Sequence, residues 1–316
     1  MILLMLALTL SACSLTAPSN IQATERDTLG VTLVVLGTTQ DAGFPHIGCR
    51  KECCRTFFRE GSSPHKVVSL GVIDHAAKKK YLLEATPDIS AQLKMLMEAG
   101  YASTQETPDG IFLTHAHIGH YAGLMYLGKE ALGAQDVPIY AMPRMKEFLE
   151  TNGPWSQLVT ESNISLHEIA DEEAVVISDQ LKIIPFTVPH RDEFSETVGY
   201  KIVGPNKSVL FIPDINKWDI WKKDIVEEIK NVDYAFLDAT FYNAAEINHR
   251  DISEIPHPFV SESMEKFASL PAKEKSKIIF IHLNHTNPLL RNDSAEHQEV
   301  IRQGYRVAQS EMILGL

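Results

Sequence analysis

The sequence predicts an α/β fold of four layers, αββα, in which two mixed β-sheets pack face to face and helices cover both outer faces. Three observations lead there. From Val31 onward, short apolar runs rich in branched residues alternate with longer helical patterns; the alternation falls into two blocks, one in each half of the chain; and several neighbouring runs are joined by links short enough for antiparallel hairpins. A doubly wound parallel sheet is disfavoured, because no glycine-rich turn leads from a strand into a helix. Two sheets that share a core leave an apolar face each, which helices must bury.

In chain order, VTLVVLG (31–37), KVVSLGVID (66–74), KYLLEA (80–85) and DGIFLTH (109–115) predict the strands of the first block. DISAQLKMLMEAG (88–100) has apolar residues at helical spacing, with Asp88 placed to cap its start and Gly100 to end it. YAGLMYLGKEALG (121–133) predicts a helix after the fourth strand. The second half offers strands at VPIYAM (137–142), AVVISD (174–179), LKIIPFTVPH (181–190), TVGYKIVG (197–204), KSVLFIPD (207–214), VDYAFLDAT (232–240) and SKIIFIHL (276–283). Its helices are RMKEFLETN (144–152), NKWDIWKKDIVEEIKN (216–231), FVSESMEKFASL (259–270) and DSAEHQEVIRQGYRVAQ (293–309). No short repeat, low-complexity tract or linker follows residue 30, so 31–316 is expected to form a single domain.

Of the 316 residues, 44% are hydrophobic and 22% charged, a composition that can bury a sizeable core. The net charge of −12 repels phosphate backbones, and no basic patch is interleaved with aromatics, so nucleic acid is excluded as an expected partner. MILLMLALTLSAC carries too few apolar residues to cross a hydrocarbon core that needs about 20, and residues 1–12 read as a signal peptide. LSAC (10–13) resembles a bacterial lipoprotein cleavage site, which makes Cys13 the expected lipidated first residue and 13–30 a polar tether. The expected location is the periplasmic side of a bacterial membrane as a lipoprotein, or else secreted or periplasmic. Its expected partners are that membrane, through the lipid, and a small-molecule substrate.

LTHAHIGHY (113–121) sets His115, His117 and His120 directly behind an apolar run. Neutral imidazole presents a lone pair near physiological pH and is a common metal ligand. With GIFLT as a strand, His115 and His117 project to one side of its end and His120 falls at the turn into the next helix, so three rings can converge. A metal site needs more ligands than one loop supplies. Three candidates close or interrupt later apolar runs: His190 ends IIPFTVPH, Asp214 ends SVLFIPD, and His282 lies in KIIFIHL. Singly, each is an ordinary hydrogen-bonded residue; their recurrence at strand ends makes them candidate ligands.

The HxHxxH loop with a later histidine, an aspartate and a last histidine resembles the metallo-β-lactamase superfamily of metal-dependent hydrolases. Within it, DAGFPHIGC, HIGHYAGL, VGYKI, LDATFYN, IPHPFV and HLNHTNPLL are similar to the branch of pyrroloquinoline quinone biosynthesis protein B and its relatives, over about residues 32–310. The resemblance implies that His115, His117 and His190 hold one metal, that His120 and His282 contribute to a second, and that Asp214 bridges the two. Members with two firmly held metals usually have Asp where Gly119 stands, which implies weaker occupancy of the second site here. The biosynthesis branch tends to have a degenerate histidine motif, whereas this chain keeps its histidines and so looks like a working metallohydrolase on that scaffold.

Imidazoles of this kind suit zinc, with iron or manganese as alternatives, and a bound water whose pKa falls to about 7 is the expected nucleophile. Asp214 and His120 are the expected catalytic residues, Asp214 orienting that water toward an ester, lactone, amide or phosphodiester. Two other classes are a non-catalytic protein that holds a metal, quinone or similar ligand in a cofactor-biosynthesis role, and an iron-dependent oxidative enzyme. β-Lactam hydrolysis is not implied by the family's name.

GCRKECC (48–54) places Cys49, Cys53 and Cys54 in one loop, either as a structural zinc site or as a disulfide with a thiol left over. The family resemblance implies zinc, with His285 as the fourth ligand; Lys51 stands where a relative has a cysteine, and His46 or His257 are possible substitutes. Weaker features are Asp192 and Glu193 as ligands beside His190, Asp41 as a turn residue that could line the cleft, and Asp238 at a strand end as a hydrogen-bonded or site residue.

Overall fold

The computed structural model describes residues 30–61, 63, 65–247 and 255–316; the expected signal, Cys13 and nearly all of the tether lie outside the described residues. Branched, fully buried runs set the first sheet. Strands β1 (Val31–Gly37), β2 (Ser69–Asp74) and β3 (Lys79–Leu83) form an antiparallel meander, β4 (Gly110–Phe112), β5 (Val137–Ala141) and β6 (Ile164–Glu168) join in parallel, and β14 (Ile313–Gly315) closes the other edge. The second sheet repeats the scheme: β7 (Val175–Val176), β8 (Lys182–Thr187), β9 (Val198–Val203) and β10 (Ser208–Ile212) are antiparallel, and β11 (Tyr234–Asp238), β12 (Ile278–Ile281) and β13 (Arg306–Val307) add on in parallel.

A central apolar layer joins the two sheets through Leu33, Val35, Phe112, Ile183, Tyr200, Phe211 and Ile279. Burying side chains of this size contributes about 1.5–3 kcal/mol each. On the outer face of the first sheet, Leu93 and Leu96 of α2 (Ile89–Ala99), Met145 and Leu149 of α4 (Pro143–Thr151) and Leu158 of α5 (Trp155–Thr160) form a second layer. On the second sheet, Ile225 and Ile229 of α6 (Ile225–Lys230), Val260 and Met264 of α7 (Val260–Lys266) and Val300 of α9 (Ala295–Arg302) form the third. Three apolar layers between four structural ones are the αββα sandwich the sequence predicts.

Several elements differ from the sequence expectation. The helix expected over 121–133 is one turn, α3 (Ile118–Tyr121), and a 3-10 segment, Ala122–Leu127, so His120 lies inside the helix and not at the turn before it. The long pattern at 216–231 breaks into 3-10 Trp218–Ile220 and α6, and that at 293–309 ends at Arg302 and continues as β13. Strands β6 and β14, α8 (Ala272–Lys275) and α1 (Glu52–Glu60), which contains Cys53 and Cys54, escaped the pattern because they are short or polar. Asp88 does precede α2, but its carboxylate accepts from the Val67 N–H at 2.8 Å and not from the helix's own first turn.

Candidate metal centre

Two antiparallel steps restore a strand's direction. Accordingly β1, β3 and β4 all end on one edge of their sheet, and β8, β10, β11 and β12 on one edge of theirs. Residues just beyond those ends meet: His115 and His117 after β4, His190 after β8, Asp214 after β10, His282 after β12, and His120 in α3. The ligand atoms of His115, His117, His190 and Asp214 lie within 4.8 Å of one another, as do those of His120, Asp214 and His282. Asp214 is thus common to both groups, and His115, His117, His120, His190, Asp214 and His282 are all brought together.

The geometry is that of a cation cage. Asp214 carboxylate oxygens lie 3.4 Å from His115 Nε2, 3.7 Å from His120 Nε2, 3.2 Å from His190 Nε2 and 3.9 Å from His282 Nε2. His117 presents its other nitrogen: its Nδ1 is 2.8 Å from His115 Nε2 and 3.3 Å from His190 Nε2. Ligands about 2.0–2.1 Å from a tetrahedral zinc stand roughly 3.3 Å apart, so these separations match the edges of such a polyhedron. His120 Nε2, His282 Nε2 and Asp214 Oδ1 are buried and find no hydrogen-bond partner among the described residues. Leaving such atoms unmet costs about 1–3 kcal/mol each, and a cation satisfies all three at once. The residues present therefore fit a metal.

The far sides of three rings carry hydrogen bonds, and that of His120 faces a carboxylate. His115 Nδ1 faces Thr114 Oγ1 at 2.9 Å, His190 Nδ1 faces Asn216 Oδ1 at 3.2 Å, His282 Nδ1 faces Thr240 Oγ1 at 2.8 Å, and His120 Nδ1 stands 3.4 Å from Glu84 Oε2. Such partners set the tautomer and aim Nε2 at the centre. Both Glu84 and His282 hold left-handed backbone, at φ 77° and 65°, a strain that persists where surrounding structure imposes it. Glu84 follows β3 and was missed in the sequence; a lone carboxylate at the end of the apolar run KYLLE was its only signal.

Charge divides the rings. Burial pushes His115 well below its usual range and His117 down to about 4, leaving both rings neutral with lone pairs free. Burial also opposes charge on His120, but Glu84, with Asp41 and Asp214, overrides it and pushes the ring up to about 9. Burial would raise Asp214, yet His190, His257 and His282 hold it well below the usual carboxylate range.

His257 belongs to this site, which corrects its expected role beside the cysteines. Its Nδ1 is 2.8 Å from Asp238 Oδ2 and 3.2 Å from Asp214 Oδ1, and Asp238, beyond a structural hydrogen bond, faces the site through it. Burial disfavours charge on both, but their mutual attraction wins: His257 is pushed up to about 10 and Asp238 down to about 2. Neither Asp192 nor Glu193 replaces a ligand: Asp192 pairs with Arg144 at 3.6 Å, and Glu193 stands 3.7 Å from Nε2 of His117, the ring edge facing away from the cage. Asp41 lies against Gly119.

At the second cluster, Cys49, Cys54 and His285 offer ligand atoms within 4.8 Å of one another, and Cys53 Sγ lies 3.8 Å from Cys49 Sγ and 4.0 Å from Cys54 Sγ. Thiolates about 2.3 Å from a zinc stand roughly 3.8 Å apart, whereas a disulfide needs about 2.05 Å. All three thiols are free, and adjacent Cys53 and Cys54 both lie in the first turn of α1, Cys54 buried and Cys53 half-exposed. Burial pushes Cys54 up to about 12 and draws His285 down to about 4. The His46 ring stacks on His285 at 4.4 Å, and the His46 backbone N–H donates to Cys54 Sγ at 3.3 Å, so His46 supports this cluster from its flank.

A family profile described as "Beta-lactamase superfamily domain" matches residues 79–283, a span that contains all six residues of the cage. The chain belongs to the beta-lactamase superfamily. Among curated relatives, coenzyme PQQ synthesis protein B of Gluconobacter oxydans (strain 621H) is 26% identical over 310 residues, covering 90% of this chain and 99% of its own. The protein of the same name from Klebsiella pneumoniae is 27% identical over 312 residues, covering 89% and 97%. The crystal structure of Zn(2+)-bound PqqB from Methylobacterium extorquens superposes with a TM-score of 0.74 at 22% identity, over 90% of this chain and 100% of that one. A diphosphatase from the PhnP family gives 0.60 at 24%, over 90% and 96%. Both share the superfamily's two-sheet sandwich.

Proposed function

We propose that this chain is a metal-dependent hydrolase of a small molecule, acting on an ester, lactone, amide or phosphodiester. The observation that carries it is the pair of overlapping ligand groups on Asp214, with buried nitrogens left unmet. When bound, divalent zinc, or iron or manganese in its place, supplies Lewis acidity and activates water as a nucleophile near neutral pH. The protein's own share is positional: Asp214 orients the attacking water, and the Thr114, Glu84, Asn216 and Thr240 contacts keep the rings from turning away. His257, fixed through Nδ1 by Asp238, carries a proton beside the cage and delivers it to the leaving group.

The way in is at His117, whose side chain at 16% exposed is the most open of the ligands. Its neighbours Ile118 and Phe194, both exposed, give this rim an apolar character suited to a substrate with a hydrophobic part. The curated relatives' names favour a second reading, a step in making a quinone cofactor. A panel of ester, lactone, phosphodiester and β-lactam substrates, run with and without chelator, separates the two. Turnover abolished by chelation, with His257→Asn lowering kcat about a hundredfold at unchanged metal content, supports the hydrolase. Metal-loaded protein that turns over nothing on the panel overturns it.

Export with a lipid on Cys13 completes the proposal, and among the described residues no helix is long and apolar enough to cross a membrane. Wild-type protein is expected to incorporate labelled palmitate in a bacterial host and Cys13→Ala to lose it. Equal labelling of both would remove the anchor.

A further inference from the structure

Of the three ligand groups that share Asp214, one has four members, one is His120, Asp214 and His282, and in the third Asp238 and His257 are already paired with each other. An open zinc site has three protein ligands, and with Asp214 shared between two cations the second has only His120 and His282 to itself. The missing donor cannot come from position 119. A Cβ built on Gly119 would lie 2.0 Å from Asp41 Cβ, 2.5 Å from its Cα and 2.8 Å from its carbonyl oxygen. The first distance is little more than one C–C bond of about 1.5 Å, so Asp41 occupies the volume a side chain at 119 would need, and its carboxylate starts from nearly the same point.

Asp41 is also tied to the other end of this group. The Gln40 N–H donates to the Leu283 carbonyl at 2.9 Å, the Leu283 N–H donates to the Thr38 carbonyl at 2.8 Å, and Thr39 bridges to Leu283. Leu283 follows His282, and Gly119 precedes His120. Asp41 therefore lies against the segment that carries His120, and Gln40 beside it is bonded to the segment that carries His282, the two histidines whose Nε2 atoms are buried and unmet. Gly43, at φ +75° and with its N–H on the Gln40 carbonyl at 2.9 Å, closes the turn that puts it there.

Resting on the metal-dependent reading above, we propose that Asp41, from the loop after β1, supplies the carboxylate of the second cation site that the backbone at Gly119 has no room to bear. Asp41 Oδ1 accepts from the Gln40 side-chain amide, a hydrogen bond exchanged for the cation.

The test is zinc titration of the chelated full chain against a chromophoric chelator, counting equivalents beyond that of the cysteine loop. Wild type takes up two. Asp41→Asn and Asp41→Ala are expected to bind the first as wild type does and the second about 10- to 100-fold more weakly. Gly119→Asp is expected to lose the second equivalent too, because its Cβ would lie 2.5 Å and 2.8 Å from the Cα and carbonyl oxygen of Asp41. An unchanged second affinity in Asp41→Asn and Asp41→Ala overturns the assignment. A wild type holding one cation among the histidines also overturns it and leaves the hydrolase standing; a wild type holding none sinks both.

Discussion

Asp214→Asn is expected to reduce cation binding at the histidine cage from two equivalents to one weakly held at most, and to lower kcat/KM roughly a thousandfold or more. Four imidazole Nε2 atoms lie 3.2–3.9 Å from this one carboxylate, and it is the member common to both ligand groups. The isosteric amide keeps the packing and removes the only charge shared by two cations that otherwise repel each other through neutral rings. A thousandfold loss corresponds to about 4 kcal/mol of transition-state stabilisation. Metal analysis and kinetics on the same sample decide it. Near wild-type metal content and activity would show that Asp214 only braces the rings.

The second large effect is expected at the cysteines. Cys49→Ser with Cys54→Ser should remove one zinc equivalent that resists mild chelation in wild type, and lower the unfolding midpoint by roughly 5–7 °C, the response of a domain of this size to about 3–4 kcal/mol. Structural zinc contributes directly to folding, because the unfolded chain offers no preformed site. Bound here it would join the loop after β1 to His285, three residues past His282, so the same change should weaken the second cation at the cage. A double serine variant with undiminished zinc would leave three free thiols packed without a metal.

Much of this site was legible as sequence because its ligands sit at strand ends. His115, His190, Asp214 and His282 each close or directly follow an apolar run, and a sheet whose strands alternate in direction delivers those ends to one edge. What escaped was what depends on packing between distant segments. Glu84 looks like a charge at the end of a strand until its ring partner is known, and His257 lies in IPHPFV, a stretch without periodicity. Gly119 was readable as an absence, but the reason for it, the Asp41 backbone pressed into that space, is a contact across 78 residues of sequence that no local pattern carries.

Anomalous scattering at the zinc edge, from crystals of the zinc-loaded chain, tests the central claim most directly. Two peaks are expected on either side of the Asp214 carboxylate, about 3.5–4 Å apart, and a third among Cys49, Cys53, Cys54 and His285. A map with no peak within bonding reach of His115, His117 and His190 would show that these rings hold hydrogen bonds and not a cation, and the hydrolase would lose its chemistry.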